Sequence, residues 1–367
     1  MKKEIYNSIA NNDQAIGISA LICDKKQIID TYYFGKRSLE ENLETTPDTI
    51  YRIASISKVV VAIGALMLYD EGRLDIYQDI SNYLGYKVRN PYFPDDIITI
   101  EMLMTQTSSI NDGADHKLGY DGVNGPRFYV ELKRLLTDPT YEYYTSKTFL
   151  KMHPGSTFCY SNFGCGILAC IIEKVSGMYF TDFIKERLLD PLHLDAGFRS
   201  DDIKKIDKIA SLYDENILQR DANMFLKNVF PRYPLGDNFR GPAGGLFISA
   251  QDLSKITRML MNKGVYEGKR YLKEETILNM EKIHWKTLYP DGLYTQKGLQ
   301  LLILDDYGPR LYGHTGSAYG LKSFMFFNDE YGYIFLCNGS NFKMARDGFT
   351  IIQESFLKQM LKDSNNA

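Results

Sequence analysis

Residues 55–72 read SISKVVVAIGALMLYDEG. Apolar side chains fall on nearly every face of this run at a helical repeat, which marks a helix buried on all sides rather than one lying on a surface. Gly72, after Asp70-Glu71, is a natural stop. A helix of this kind needs protein around it, and the flanking text indicates what that protein is. Upstream, IGISALICD (16–24) and QIIDTYYFG (27–35) are rich in β-formers, with a turn predicted at Asp24-Lys25-Lys26. Downstream, ITIEMLMTQTSSI, YVELKRLL, FGCGILACIIEKVSG, YFTDFIKERLL, SAQDLSKITRMLMNKG and KEETILNMEKI read as helices of 8–16 residues between loops rich in Gly, Pro, Asp and Asn. From about residue 290 strands return as KGLQLLILD, RLYGH, LKSFMFFN and YGYIFLCNG, with a turn at Asn328-Asp329-Glu330 and a last helix from about Arg346 to Lys362.

Strands at both ends and helices between them predict an α+β fold. Its N- and C-terminal segments pair into an antiparallel sheet flanked by helices, and the middle forms an all-helical subdomain. The expected division is 1–75 with 290–367 for the sheet subdomain and 76–289 for the mostly helical one, together making one catalytic unit. Ligands favour the cleft between such parts, and its walls are expected over 111–145 and 213–240.

The 367 residues are 44% hydrophobic and 24% charged, with 43 basic and 46 acidic side chains and a net charge of -3. No field of one sign is present to attract nucleic acid or a membrane surface. The longest apolar stretch, Val59 to Leu68, is too short to span a bilayer. Five cysteines in mostly apolar surroundings (Cys23, Cys159, Cys165, Cys170 and Cys337) read as reduced buried thiols. Cys165 and Cys170 lack a zinc spacing, so neither a metal nor a cofactor is expected. Asp112-Gly113-Ala114-Asp115 resembles part of a metal loop but lacks the rest of the calcium pattern. The opening MKKEIYNSIANNDQAIG has no apolar run of the kind a signal peptide carries, and a cytoplasmic location is the expectation.

Three short stretches carry reactive side chains. Ser55 and Lys58 stand three apart on one helix face, near unpaired backbone N–H groups and the positive end of the dipole. A lysine desolvated there can accept the serine proton. The same four residues also suit a helix cap followed by a surface lysine. Tyr160 and Asn162 share one side of an extended segment ahead of a helix from Phe163, so a phenol and a carboxamide can face one cleft. An ammonium beside Tyr160 favours its phenolate, and hence a role as base. Either Ser161 or Asn162 equally suits an N-cap. His314-Thr315-Gly316-Ser317 follows a strand, is expected at the sheet edge facing the cleft, and has a glycine that permits close backbone approach. It also reads as a turn carrying a surface histidine.

In order and spacing the three stretches resemble the serine β-lactamase and penicillin-binding protein superfamily. The likeness is strongest to the class C branch, with its D-alanyl-D-alanine carboxypeptidases and related esterases. Further matching text is LMTQTSSI (103–110), HPGSTFCYSN (153–162), IIEKVSG (171–177), GPAGGLFISAQDLSKI (241–256) and YGHTGSAYG (312–320). The resemblance implies Ser55 as the acylated nucleophile, with Lys58 and Tyr160 sharing the proton work. Asn162 holds the substrate amide, His314, Thr315 and Gly316 line the substrate site, and the N–H groups of Ser55 and Ser317 form an oxyanion hole. It implies a small-molecule or peptide acyl substrate. The third element has histidine where many β-lactamases have lysine, and histidine is mostly neutral at pH 7. An esterase or D-peptidase activity is therefore expected ahead of lactam hydrolysis. The alternatives are a penicillin-binding protein that acylates with little turnover and a non-catalytic binding module.

Overall fold

The computed structural model describes residues 1–365 except 114–115, 126–127, 228, 230 and 288–291. Ala114 and Asp115 of the metal-loop-like stretch, and a few positions of both expected cleft walls, lie outside the described residues.

The chain opens with helix α1 (Lys3–Asn12), which was not anticipated. Its apolar face amounts to Tyr6 and Ala10, one turn apart and both buried, too few to stand out as a period. Strands β1 (Gly17–Cys23) and β2 (Ile28–Ser38) then form the expected hairpin, whose turn is held by Asp24 Oδ1 accepting from the N–H groups of Lys26 and Gln27. After β3 (Leu43–Glu44) and β4 (Ile50–Arg52) comes the buried helix α2 (Ser57–Asp70), and much later α3 (Asn162–Ser176). Strand β5 (Phe247–Ser249), paired with β4, leads into α4 (Ala250–Met261). The C-terminal part supplies β6 (Trp285–Lys286), β7 (Gln296–Lys297), β8 (Leu302–Leu304), β9 (Leu311–Ala318), β10 (Leu321–Phe327), β11 (Gly332–Cys337) and α5 (Ile351–Ser364).

Nine strands form one sheet in the order β6-β7-β8-β9-β10-β11-β1-β2-β3, every neighbouring pair antiparallel. The chain ends meet at β1 and β11, where Ile18 faces Cys337 and Ile22 faces Tyr333. Both faces of the sheet are covered, so the alternation along a strand divides its residues between two cores. Ile18, Ala20, Ile22, Phe324, Phe326 and Phe335 pack with Tyr6, Phe356 and Met360 of α1 and α5. Leu21, Cys23, Met325, Ile334 and Leu336 pack on the other side with α2 and α4.

Several expected elements have different limits. The helix read from ITIEMLMTQTSSI is only Ile100–Thr105, because Gln106 turns left-handed (φ 60°) and a buried loop follows. YVELKRLL gives only Leu132–Thr137. The last helix starts at Ile351 rather than near Arg346, since Met344–Arg346 and Phe349–Thr350 pair as a small hairpin and Gln353 Oε1 caps the Thr350 N–H at 3.0 Å. The segment expected to be mostly helical also holds two hairpins, Leu212–Asp214 with Ile217–Arg220 and Val265–Tyr266 with Lys269–Arg270. Within it, α4 lies on the sheet, with Thr257 and Met261 against Gly332. All five cysteines are free thiols, and only Cys159 is not fully buried. Among the described residues no single helix is long and apolar enough to cross a membrane.

Candidate active site

Ser55 was expected at the helix start and lies two residues ahead of it. The helix proper begins at Ser57, and Ala54–Ile56 form a 3₁₀ turn leading into it. Ala54 is left-handed (φ 51°), a conformation that costs a residue with a Cβ about 1–2 kcal/mol. Its neighbours hold it there. The Ile53 N–H bonds to Leu246 O at 2.9 Å, and Ser57 Oγ donates to Ala54 O at 2.6 Å while accepting from the Leu246 N–H at 3.1 Å. Ser57 is thereby committed to the backbone, whereas the Ser55 hydroxyl meets side chains instead. Strand β9 closes on the same turn. A Cβ on Gly316 would lie 2.4 Å from Ile53 O, so the glycine admits the chain's own backbone rather than a ligand.

Lys58 lies in the first turn of α2 and is fully buried. Its Nζ is 2.9 Å from Ser55 Oγ, 2.8 Å from Asn162 Oδ1 and 2.8 Å from Ala243 O. It also stands 4.8 Å from the centre of the Tyr160 ring. Burial pulls its pKa down to about 8, with Arg52 adding to the fall and Asp112 opposing it. The three contacts give an ammonium three acceptors. On deprotonation two N–H groups stay with Asn162 Oδ1 and Ala243 O, which can only accept, and the lone pair faces the Ser55 hydroxyl.

Asn162 is the first residue of α3, and Ser161 is its N-cap, accepting from the Gly164 N–H at 2.9 Å. Asp112 anchors the same helix start, accepting from Ser161 Oγ (3.0 Å), the Phe163 N–H (2.9 Å) and Asn162 Nδ2 (2.8 Å). Both ends of the Asn162 carboxamide are therefore engaged by protein, Nδ2 with Asp112 and Oδ1 with Lys58. Asn162 thereby orients the lysine, and the second N–H of its Nδ2 is left for the expected substrate contact. Tyr160 is hydrogen-bonded to Ser55, but burial pushes its pKa up, so the resting group is a phenol and not the phenolate expected beside an ammonium.

The third stretch lies on β9, an interior strand with three strands beyond it on one side and five on the other, not at the sheet edge. His314 is fully buried. Its Nδ1–H donates to Thr315 O at 2.6 Å, which leaves Nε2 as the unprotonated nitrogen, with no partner among the described residues. Burial, then the charges of Lys297 and Lys58, push its pKa well below the ordinary histidine value, so the ring is neutral. Thr315 is hydrogen-bonded to Tyr294, whose ring meets Tyr160 at 5.5 Å and Phe158 at 5.6 Å. Ser317 is exposed and accepts from Lys322 Nζ at 2.7 Å. The structure thus brings Ser55, Lys58, Tyr160 and Asn162 into direct contact, with the Tyr160 and His314 rings 6.2 Å apart.

Four participants escaped the sequence reading. Asp112 was visible only as part of a metal-like loop. Ala243 contributes a carbonyl, which no side-chain motif reports. Tyr294 is one of 27 tyrosines. Lys297 on β7 is fully buried with no partner for its amine among the described residues, and burial, then the Lys58 charge, bring its pKa down to about 7.

Known proteins resemble this chain in sequence and in fold. The sequence matches the Beta-lactamase family profile over residues 6–354. It is 25% identical over 329 residues to Protein flp of Staphylococcus aureus (strain MRSA252), covering 88% of this chain and 59% of that protein, so the chain spans about six-tenths of that relative's length. Among solved structures, D-amino acid amidase from Ochrobactrum anthropi SV3 in complex with L-phenylalanine amide superposes with a TM-score of 0.75 at 18% identity, over 99% of this chain and 97% of the other. The octameric penicillin-binding protein homologue from Pyrococcus abyssi gives 0.74 at 24% identity, over 99% and 78%. At these identities the two structures establish the shared α+β fold.

Proposed function

The chain belongs to the beta-lactamase family, and from that membership and the site geometry we propose that it is a serine hydrolase cleaving an ester, amide or lactam through an acyl-enzyme on Ser55. The observation that carries this reading is the 2.9 Å contact between Lys58 Nζ and Ser55 Oγ at a fully buried amine whose other two contacts are acceptors.

Ser55 Oγ attacks the acyl carbon and passes its proton to the Lys58 lone pair, giving an ammonium already supplied with three acceptors. The main-chain N–H groups of Ser55 and Ser317 are the donors for the developing oxyanion, on two segments that Gly316 allows to lie against each other. Tyr160, a phenol at rest, donates its proton to the departing nitrogen or oxygen. The phenolate left behind lies beside the Lys58 ammonium, which stabilises it. In deacylation the phenolate takes a proton from the attacking water, and Lys58 returns one to Ser55. Esters and D-amino-acid amides or peptides are preferred over β-lactams, because a neutral, buried His314 offers no cation to a lactam carboxylate.

Intact-mass analysis after exposure to a p-nitrophenyl ester, a D-amino-acid amide and a chromogenic cephalosporin tests the reading. One acyl adduct per chain, absent in Ser55→Ala, and faster turnover of the ester than of the cephalosporin are expected. Acylation of Ser55→Ala at the wild-type rate would overturn it.

A further inference from the structure

A cavity of about 450 Å³, within the size range of small-molecule sites, is lined by residues close in sequence to the catalytic group. Its wall shares segments with the catalytic group. Arg52 stands three residues before Ser55, Gly241 and Gly245 flank the Ala243 carbonyl that holds Lys58, and Tyr319 follows Ser317 by two. Ser55, Lys58 and Tyr160 themselves are not part of that wall. Tyr319 and Gly320 form the two-residue turn between β9 and β10, both left-handed (φ 51° and 92°), which projects the tyrosine ring 44% exposed.

Two guanidinium groups flank that ring. Arg52 is 5.3 Å from its centre and Arg220, at the end of the 217–220 strand, is 4.2 Å from it. Neither has a carboxylate within ion-pair distance among the described residues, and Arg220 donates only to the carbonyl of Gln219. The other arginines on the wall are engaged: Arg199 with Asp201, Arg232 with Asp182, and Arg240 with the carbonyls of Val123 and Phe128. Glu173 is the carboxylate on the wall, and its oxygens take the N–H groups of Phe180 and Gly236 and the Asn238 amide. Among the described residues, the cavity therefore holds two positive charges with no carboxylate partner. Burial depresses the pKa of Arg52, the mark of a cation that has lost water without gaining an anion.

We propose that this cavity receives the acyl half of the substrate, and that Arg52 and Arg220 bind a carboxylate at the end of that acyl chain. The inference rests on the serine hydrolase reading. With Tyr160 serving the leaving group, the part that stays on Ser55 extends the other way, toward Arg52, Gly245 and Tyr319. The favoured substrates are then half-esters or half-amides of dicarboxylic acids. Guanidinium groups suit this role because their planar fork matches a carboxylate, and Tyr319 holds both by cation–π contact.

The test compares p-nitrophenyl hexanoate with the mono-p-nitrophenyl ester of adipic acid, equal in chain length and differing in the terminal carboxylate. Wild type is expected to favour the adipate half-ester in kcat/KM by about tenfold or more, the scale of a charged hydrogen bond. Raising the salt concentration erodes that preference. Arg220→Met and Arg52→Met each reduce the ratio toward unity. Arg220 lies on a half-buried hairpin strand away from the core, which keeps the test informative if Arg52→Met fails to fold. Turnover of both esters with no preference for the half-ester overturns the carboxylate site and leaves the hydrolase reading standing. If neither ester acylates Ser55, both readings are overturned.

Discussion

Asp112 Oδ2 accepts the Asn162 amide at 2.8 Å, and that contact decides which end of the carboxamide faces Lys58. Without it the amide is free to present Nδ2 to the amine, where two donors would meet. Asp112 is thus a positioning residue, acting on the nucleophile through Asn162 and Lys58. Asp112→Ala is expected to lower kcat/KM by about 10–100-fold, the cost of a misplaced catalytic group. Asp112→Asn separates charge from shape. Asp112 raises the Lys58 pKa, so removing its charge moves the acid limb of the pH–rate profile to lower pH. A merely structural role would leave that limb in place.

Lys58 works as a base only when deprotonated. With its pKa brought to about 8, the acylation rate should rise with pH through that value and level off above it. Single-turnover release of p-nitrophenolate over a pH series measures this. Lys58→Ala should lower the rate by about 10²–10⁴-fold and abolish the limb.

Tyr160 should matter in proportion to the leaving group's need for a proton. p-Nitrophenolate departs without one and an amide nitrogen does not. Tyr160→Phe is therefore expected to slow acylation by an amide by about 10²–10³-fold and acylation by a p-nitrophenyl ester by about tenfold or less, read in single turnovers that exclude the deacylation step. Equal losses on both substrates would remove the donor role.

Lys297 makes a prediction about stability. Its amine is buried without a partner and titrates near 7, far below an unfolded lysine. Between that value and about 10.4 the unfolded chain binds more protons than the native one, so native stability rises with pH across this window. Lys297→Met removes that contribution. The variant should be more stable than wild type at pH 7 by on the order of 4 kcal/mol, and the difference should shrink as the pH approaches about 10. Denaturant midpoints at the two pH values report it.

Periodicity and residue type were enough for the α+β class, for the pairing of the two chain ends at β1 and β11, and for α2 as a helix buried all round. These are local patterns, and burial imposes them residue by residue. Helix limits were less legible, because Gln106 and the hairpin before Ile351 end or delay helices through backbone geometry that composition does not record. At the site, Ser55, Lys58, Tyr160 and Asn162 were legible as reactive types at suggestive spacings. Their roles were not. Asn162 turns to Lys58 because Asp112, 50 residues earlier in the chain, holds its other end. Tyr160 stays protonated and His314 neutral because both are desolvated, and desolvation depends on every segment packed around them. Arg52 and Arg220 share a wall only because β4, the 217–220 strand and the β9–β10 turn converge. Local patterning selects the elements, whereas pKa values and charge balance are properties of the space between elements distant in sequence.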